Sequence, residues 1–317
     1  MTFTQSIVRR NRLAPSYIIV TVLLIALVVT GAFVSDRFLS WRNVSNLFQQ
    51  MSVLGLASLG QTFVILLGGI DLSVGSIVSA ATVFLANFLE WRPDLVWLAL
   101  PFALAATGAI GALNGYLSVR LRVHPLIVTL GMSSIIFGAS LSYRKEPGGS
   151  IPPGFDVLAF GSLWGVPTPA IALFGAFAIA GVWLQRSRSG RSLYFVGGGF
   201  ENARLNGLPV TRITTGVYAL SGFCAGLAAI FLVAKTGVGD PRIGASLTLQ
   251  SITPVVVGGT ILAGGRGGVF GTFLGVLLVS MLNNLLNFSG VSSYYQWVLQ
   301  GVIILIAVGL RDKGGES

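Results

Sequence analysis

The chemistry open to this chain centres on one segment, Gly60-Gln61-Thr62-Phe63-Val64-Ile65-Leu66-Leu67-Gly68-Gly69-Ile70-Asp71-Leu72-Ser73-Val74-Gly75-Ser76. A carboxylate beside apolar runs is costly at membrane depth, and the glycines around it argue against a regular helix there. Irregular backbone is tolerated at that depth only where protein buries it or a water-filled cavity borders it. Asp71 therefore has two compatible readings: a group on a solute path, or the cap of a helix that starts at Leu72. Gln61, Ser73, Asn114, Asn283, Asn284 and Asn287 add neutral polar groups within or beside apolar runs. Asn283 and Asn287 are one helical turn apart and share a face, which suits either a wall for a hydroxyl-rich solute or a bond to a neighbouring helix. His124, just before Pro125, reads as a helix cap, and Cys224 as small packing. One histidine, one cysteine and ten acidic residues supply no Ser/His/Asp, Cys/His or paired-carboxylate constellation, no metal-ligand set and no disulfide. Gly264-Gly265-Arg266-Gly267-Gly268 is rich enough in glycine to cradle phosphate but lacks the Lys-Ser/Thr of a P-loop, so nucleotide binding is rejected there.

The elements that must position these groups are apolar helices. Of 317 residues, 53% are hydrophobic and 9% charged, against about 25% charged in a soluble domain. That composition predicts a polytopic, all-α membrane protein forming one domain over 1–317. Ten apolar runs stand near the length needed to cross a bilayer: Tyr17 to Val34, Val53 to Ile70, Leu72 to Leu89, Leu95 to Val119, Pro125 to Tyr143, Thr168 to Leu184, Ile213 to Lys235, Leu247 to Ala263, Val269 to Phe288 and Tyr294 to Leu310. The first is too long for a signal peptide and reads as an uncleaved helix. With both termini in the cytoplasm, thirteen basic residues fall inside and seven outside, which favours N-in, C-in over its reverse. The net charge of +10 then marks topology and does not call for nucleic acid.

Two connections exceed a turn. The outside stretch 144–167, with Pro-Gly-Gly and Pro-Pro-Gly, holds too many breakers for a helix and is a candidate docking surface. The inside stretch 185–212 carries five arginines and, after Gly197 to Gly199, a sequence predicting a helix of about two turns over Glu201 to Leu208, ended by Gly-x-Pro. Gly111-x-x-x-Gly115, Gly222-x-x-x-Gly226 and Gly267-x-x-x-Gly271-x-x-x-Gly275 predict close helix packing. Gly237, Asp240 and Gly244 repeat the offsets of Gly68, Asp71 and Gly75 169 positions later, one inside and one outside, as an inverted repeat of runs 2 to 5 on runs 7 to 10 requires.

Two of these segments carry a resemblance. Gly60-Gln61-Thr62-Phe63-Val64-Ile65 with Gly69-Ile70-Asp71-Leu72-Ser73-Val74-Gly75-Ser76, then Gly258-Gly259-Thr260-Ile261-Leu262-Ala263-Gly264-Gly265-Arg266-Gly267, resemble the permease subunit of ribose-type monosaccharide ABC importers over about Asn43 to Leu310. The resemblance implies a non-catalytic permease of ten helices in the bacterial inner membrane. It implies pairing with a second permease copy or paralogue, with cytoplasmic ABC ATPase subunits that hold ATP and Mg, and with a periplasmic sugar-binding protein; no cofactor is expected in this chain. It also implies that Glu201, Asn202, Ala203, Arg204, Leu205 and Gly207 couple to the ATPase, while Gln61, Asp71, Ser73, Asn114, Asn283 and Asn287 border the sugar path. The chain departs from the family where Thr248-Leu249-Gln250-Ser251-Ile252 replaces Glu-Leu-Asp-Ala-Ile, and where Arg204-Leu205-Asn206-Gly207-Leu208 replaces Ala-x-x-Ser-Gly-Ile. The rival expectation is a self-contained, ion-coupled secondary transporter using Asp71.

Overall fold

The computed structural model describes residues 15–292 and 294–302. Helix α1 spans Pro15–Val34, α2 Trp41–Leu66, α3 Val74–Trp91, α4 Val96–Arg120 and α5 Pro125–Tyr143. A connection with the one-turn helix α6 (Val157–Phe160) and a hairpin of β1 (Ser162–Leu163) against β2 (Val166–Pro167) leads to α7 (Thr168–Arg186). Then follow α8 (Arg188–Gly197), α9 (Phe200–Leu205), α10 (Val210–Thr236), α11 (Leu247–Val257), α12 (Val269–Phe288) and a helical stretch over 294–302. Among the described residues six helices are long and apolar enough to cross a membrane: α3, α4 with the turn before it, α5, α7, α10 and α12. Trp97, Phe102, Ile127, Ile135 and Ile179 stand exposed on three of them, as helices facing lipid require. The chain is a mostly helical, polytopic membrane protein.

Several expected boundaries move, each for a local reason. Helix α2 starts at Trp41, not Val53: Ser40 Oγ caps it by accepting from Asn43 N at 3.3 Å, and hydropathy alone hid a first half that carries Arg42, Asn43, Gln49 and Gln50. The same helix stops at Leu66, ahead of Gly68 in the left-handed region at φ +87°, so the run to Ile70 is not one helix. The eighth run ends at Val257 instead of Ala263, because Gly258 packs so closely on α12 that a Cβ there would lie 2.1 Å from Gly271 O. The stretch 144–167 contains the one-turn α6 where no helix was expected. The stretch 185–212 holds two helices where one was expected, with α9 ending three residues early, at Leu205. The tenth run is described only to residue 302, and Arg9, Arg10, Arg12, Arg311 and Lys313 lie outside the described residues.

Helix α10 is enclosed by its neighbours, packing on α4, α2 and α3 through Val217, Tyr218, Ala225, Ala228, Ala229 and Val233. Two of the small-residue motifs meet each other at its crossing with α4. A Cβ on Gly111 would lie 2.1 Å from Tyr218 O, and one on Gly222 2.2 Å from Thr107 O. Backbone-to-backbone contact of this kind replaces the hydrophobic drive that lipid cannot supply.

The 169-residue offset runs through the element list. Shifted by that amount, α2 covers α10, α3 encloses α11, α4 encloses α12 and α5 starts where the helix over 294–302 starts. The matching details follow. Gly68 and Gly237 both take positive φ, +87° and +75°. Asp71 Oδ1 accepts from Ser73 N at 3.0 Å, and Asp240 Oδ1 from Arg242 N at 2.8 Å. Gly75 N donates to Thr248 Oγ1 at 3.2 Å, while Gly244 N donates to Ser79 Oγ at 2.9 Å, so each break is bonded to the hydroxyl four residues along the other. A Cβ on Gly75 would lie 2.2 Å from Gly244 O, and one on Gly244 2.0 Å from Gly75 O. Gly75→Ala is accordingly expected to cost about 2 kcal/mol by overpacking and to lower the melting temperature in detergent by about 5 °C. Gly131→Ala, where nothing lies within 4 Å, is expected to leave it unchanged; a light-scattering or tryptophan-fluorescence melt of the two variants checks the difference.

Candidate functional site

Four of the sequence-selected polar residues come together at the break between α2 and α3. Asp71 is fully buried. Its Oδ1 accepts from Ser73 N at 3.0 Å and Ser73 Oγ at 2.6 Å, and its Oδ2 accepts from Ser221 Oγ on α10 at 2.9 Å. Asn114 Nδ2 on α4 donates to Ser73 Oγ at 2.8 Å. The Gln61 amide, oriented as its neighbours require, donates to Asp71 O at 3.3 Å and accepts from Asp71 N at 3.2 Å. Thr129 Oγ1 on α5 accepts from Leu72 N at 3.1 Å and faces Ile70 O at 3.3 Å. Gly68 N and Gly69 N reach back to Ile65 O and Val64 O. The interrupted backbone is thus satisfied almost group by group, which a break away from water demands. Asp71 holds the turn before α3 through an Asx bond and also ties it to α10. Asn114 Oδ1 and Tyr218 Oη, both buried, have no hydrogen-bond partner among the described residues.

The other polar residues lie elsewhere. Asn283 Oδ1 accepts from Gln300 Nε2 at 3.2 Å and Asn287 Oδ1 from Gln296 Nε2 at 2.7 Å, so their shared face bonds to the helix over 294–302. Asn284 exchanges amide bonds with Asn43 at 3.0 and 2.9 Å. His124 caps α5 by accepting from Leu126 N at Nδ1, 3.3 Å away. Cys224 is buried against Gly60. Thr129, Ser221 and Tyr218 were missed by sequence reasoning; each is a single polar group in an apolar run, and no spacing pattern links them to Asp71.

A second cluster lies at the start of α10. Ala203 is fully buried, packed with Val196 and Val210 and against Leu67 just past α2. Glu201, Asn202, Arg204 and Gly207 are exposed, and Leu205 stands 77% exposed. Of these, Glu201 and Arg204 border a cleft of about 860 Å³ that also takes in Arg120, Arg122 and Arg212, four arginines against Glu201. From this surface a chain of close contacts leads inward. A Cβ on Gly197, at the end of α8, would lie 1.9 Å from Leu66 O, and Gly265 N donates to that carbonyl at 2.9 Å. Tyr194 Oη donates to Gly267 O at 2.9 Å. The Gly264 to Gly268 loop therefore closes the end of α2 and joins it to α8, a packing role in place of phosphate binding. At the far end of α5, Arg144 Nη1 bonds Asn87 Oδ1 and Gly148 pairs with Gly239, while Trp164 at the hairpin tip is 94% exposed.

A polytopic helical bundle with a sealed polar break and an exposed short helix is the architecture of a membrane permease, and sequence comparison agrees. The chain belongs to the family described as branched-chain amino acid transport system / permease component, whose model matches residues 43–308. It is 38% identical to the ribose import permease protein RbsC of Bacillus subtilis, over 92% of this chain and 91% of that one. It is 37% identical to RbsC of Escherichia coli K12 over 98% and 99%, and 33% identical to the D-allose transport system permease protein AlsC of the same organism over 91% and 89%. No solved structure matches the chain.

The break sets a clear expectation. Asp71→Ala strands the Ser73 amide and two hydroxyls in a buried site, at about 1–3 kcal/mol for each group left unpaired, and is expected to reduce sharply the yield of monodisperse protein. Asp71→Asn keeps the Oδ1 acceptor and offers an N–H that Ser221 can accept by turning its hydroxyl, and is expected to stay near the parent. Size-exclusion profiles of the two variants make the comparison.

Proposed function

We propose that this chain is the transmembrane subunit of an ATP-driven, binding-protein-dependent importer of a monosaccharide or related polyol. The observation that carries the reading is similarity along nearly the whole chain to permeases named for ribose, allose, arabinose and fructose. Ten spans run N-in, C-in, and α2 to α5 repeat, inverted, as α10 to the helix beginning at residue 294. The 169-residue offset and the reciprocal bonds of Gly75 and Gly244 support that repeat. Two permease copies, or this chain and a paralogue, enclose the path; soluble partners supply the rest, an ATPase with its ATP and Mg on one side and a sugar-binding protein on the other.

Within this scheme Glu201, Asn202, Arg204, Leu205 and Gly207 form the ATPase-facing surface, and Ala203 seats it on the bundle. Closure of the ATPases pushes α9, and the contacts of α8 and the Gly264 to Gly268 loop with the end of α2 carry that push to the break. Gln61, Asp71, Ser73 and Asn114 keep the break rigid beside the path, and Asn283 and Asn287 stand on its wall. Neutral amides and hydroxyls exchange hydrogen bonds with water and sugar at similar energy, so a sugar crosses without a trapping well. The rival ion-coupled reading needs Asp71 to be reached by an ion, and its enclosure by hydroxyls and an amide of the protein itself weighs against that.

Leu205→Asp tests the coupling. The exposed site tolerates the charge, so the variant is expected to reach the membrane normally and to lose ATP-dependent sugar uptake together with co-purification of the ATPase. Ala203→Arg, by contrast, forces a charge into a sealed pocket and is expected to lose folded protein. Full uptake by Leu205→Asp would overturn this assignment of α9.

A further inference from the structure

We infer that a cavity between α2, α10, α11 and α12 is a binding site for a neutral polyhydroxy solute, a monosaccharide or related polyol, within the membrane-spanning part of the protein. The inference rests on the importer reading above and adds where the solute is held and by which groups. The cavity, of about 230 Å³, is lined on its polar side by Gln50, Lys235, Gln250, Ser280 and Asn283, with Ser246 at the cap of α11. These come from four helices whose surroundings are apolar, so their convergence on one space does not follow from a helix having one polar face.

Their bonding state is the stronger observation. Ser280 Oγ is buried, its residue only 3% exposed, and it has no hydrogen-bond partner among the described residues. The nearest comparison is Ser118, also on a helix within the bundle, whose hydroxyl bonds back to the carbonyl four residues earlier at 2.8 Å; Ser280 does not. Among the described residues the side chains of Gln50 and Gln250 make no hydrogen bond within the protein, and Lys235 makes no ion pair. Asn283 uses its Oδ1 on Gln300, and its Nδ2 makes no hydrogen bond among the described residues. A buried polar group that the protein itself leaves unsatisfied calls for a water or a ligand, since leaving it bare costs free energy; at Ser280 it is joined by further unused donors and acceptors in the same cavity.

The chemistry of the lining selects the class of occupant. Two complete amides, two hydroxyls, an amide N–H and an ammonium give donors and acceptors in several directions, and Val53, Leu54 and Leu232 supply an apolar floor. That mixture fits a small ring with hydroxyls at its edge and C–H groups on its face. A metal ion finds no carboxylate here. In the N-in arrangement, Lys235 at the end of α10 and Gln50 in the first half of α2 both lie toward the outer side, where a sugar leaves its soluble carrier.

The test uses the assembled importer in proteoliposomes with labelled D-ribose, D-allose, L-arabinose and D-fructose as probes. Gln250→Leu and Ser280→Val, each copurifying with the ATPase as the parent does, are expected to lower uptake of the transported sugar about tenfold at subsaturating concentration, as loss of one or two hydrogen bonds implies. Uptake within twofold of the parent in both variants would overturn the inference while leaving the importer reading intact. Absence of ATP-dependent uptake by the parent itself would overturn that reading and this one with it. A second measurement does not depend on the variants' transport. With Ser280→Cys in a Cys224→Ala background, a small methanethiosulfonate reagent is expected to react, and the transported sugar to slow that reaction severalfold. An unchanged rate at saturating sugar would mean that lipid, detergent or water fills the cavity, and would overturn the assignment.

Discussion

A helix that stops inside a packed bundle leaves amides and carbonyls that water cannot reach, and most of this structure can be understood as the answer to that constraint. Helix α2 ends at Leu66 and α3 begins at Val74. Between them the backbone is bonded by its own aspartate, by a glutamine from α2, a threonine from α5 and indirectly by an asparagine from α4. Each of these side chains must arrive from a different helix at a fixed height, so the break dictates how α2, α4, α5 and α10 pack. The glycines then let the helices come close enough for the bonds to form. Gly75 and Gly244 abut through their backbones, and Gly111 and Gly222 bring α4 and α10 to the same closeness.

The same constraint gives the molecule a line of mechanical communication. A packed break cannot deform smoothly, because moving it forfeits several bonds at once; it favours a small number of discrete arrangements. Leu67 and Leu66, at the end of α2, touch the Ala203 cluster and the glycines of α8 and the 264–268 loop. The exposed helix α9 is therefore joined to the break by a run of close contacts, the route along which the proposed ATPase movement would pass. Side chains at the glycine positions would hold these elements apart by an ångström or more, and the connection would be lost.

Much of this was legible in the sequence. Apolar runs of helical length placed α5 and α12 to the residue, because Pro125 marks the start of one and Gly268 and Ser289 bound the other. The Gly-Asp-Gly echo and the small-residue motifs were readable because close backbone approach admits almost no other residue type. The short length of α11 was less legible, since Leu247 to Ala263 is apolar on average; the helix ends before Gly259, which takes φ +99°, where Gly258 packs against Gly271 of another element. Helix α8 was missed because its arginines, serines and Gly190 look like a loop; Ser187 caps it, and Leu193 and Val196 bury it only once α2 and α10 are in place. At the break, sequence chose Gln61, Asp71, Ser73 and Asn114 as polar groups in apolar surroundings, but nothing local showed that they bond one another, or that Ser221 and Thr129 join them. The cavity residues Gln50, Lys235 and Ser280 escaped for the same reason, as convergence from four helices is a property of the fold.

Whether this chain is a passive path switched by a separate ATPase, as proposed, is tested most directly by reconstituting the parent permease into proteoliposomes and measuring uptake of the four labelled sugars, omitting in turn ATP, the ATPase and the binding protein, with and without proton and sodium gradients. Uptake is expected only when ATP, ATPase and binding protein are all present, with no response to either gradient. Gradient-driven uptake by the permease alone would contradict it and would make Asp71 the coupling group.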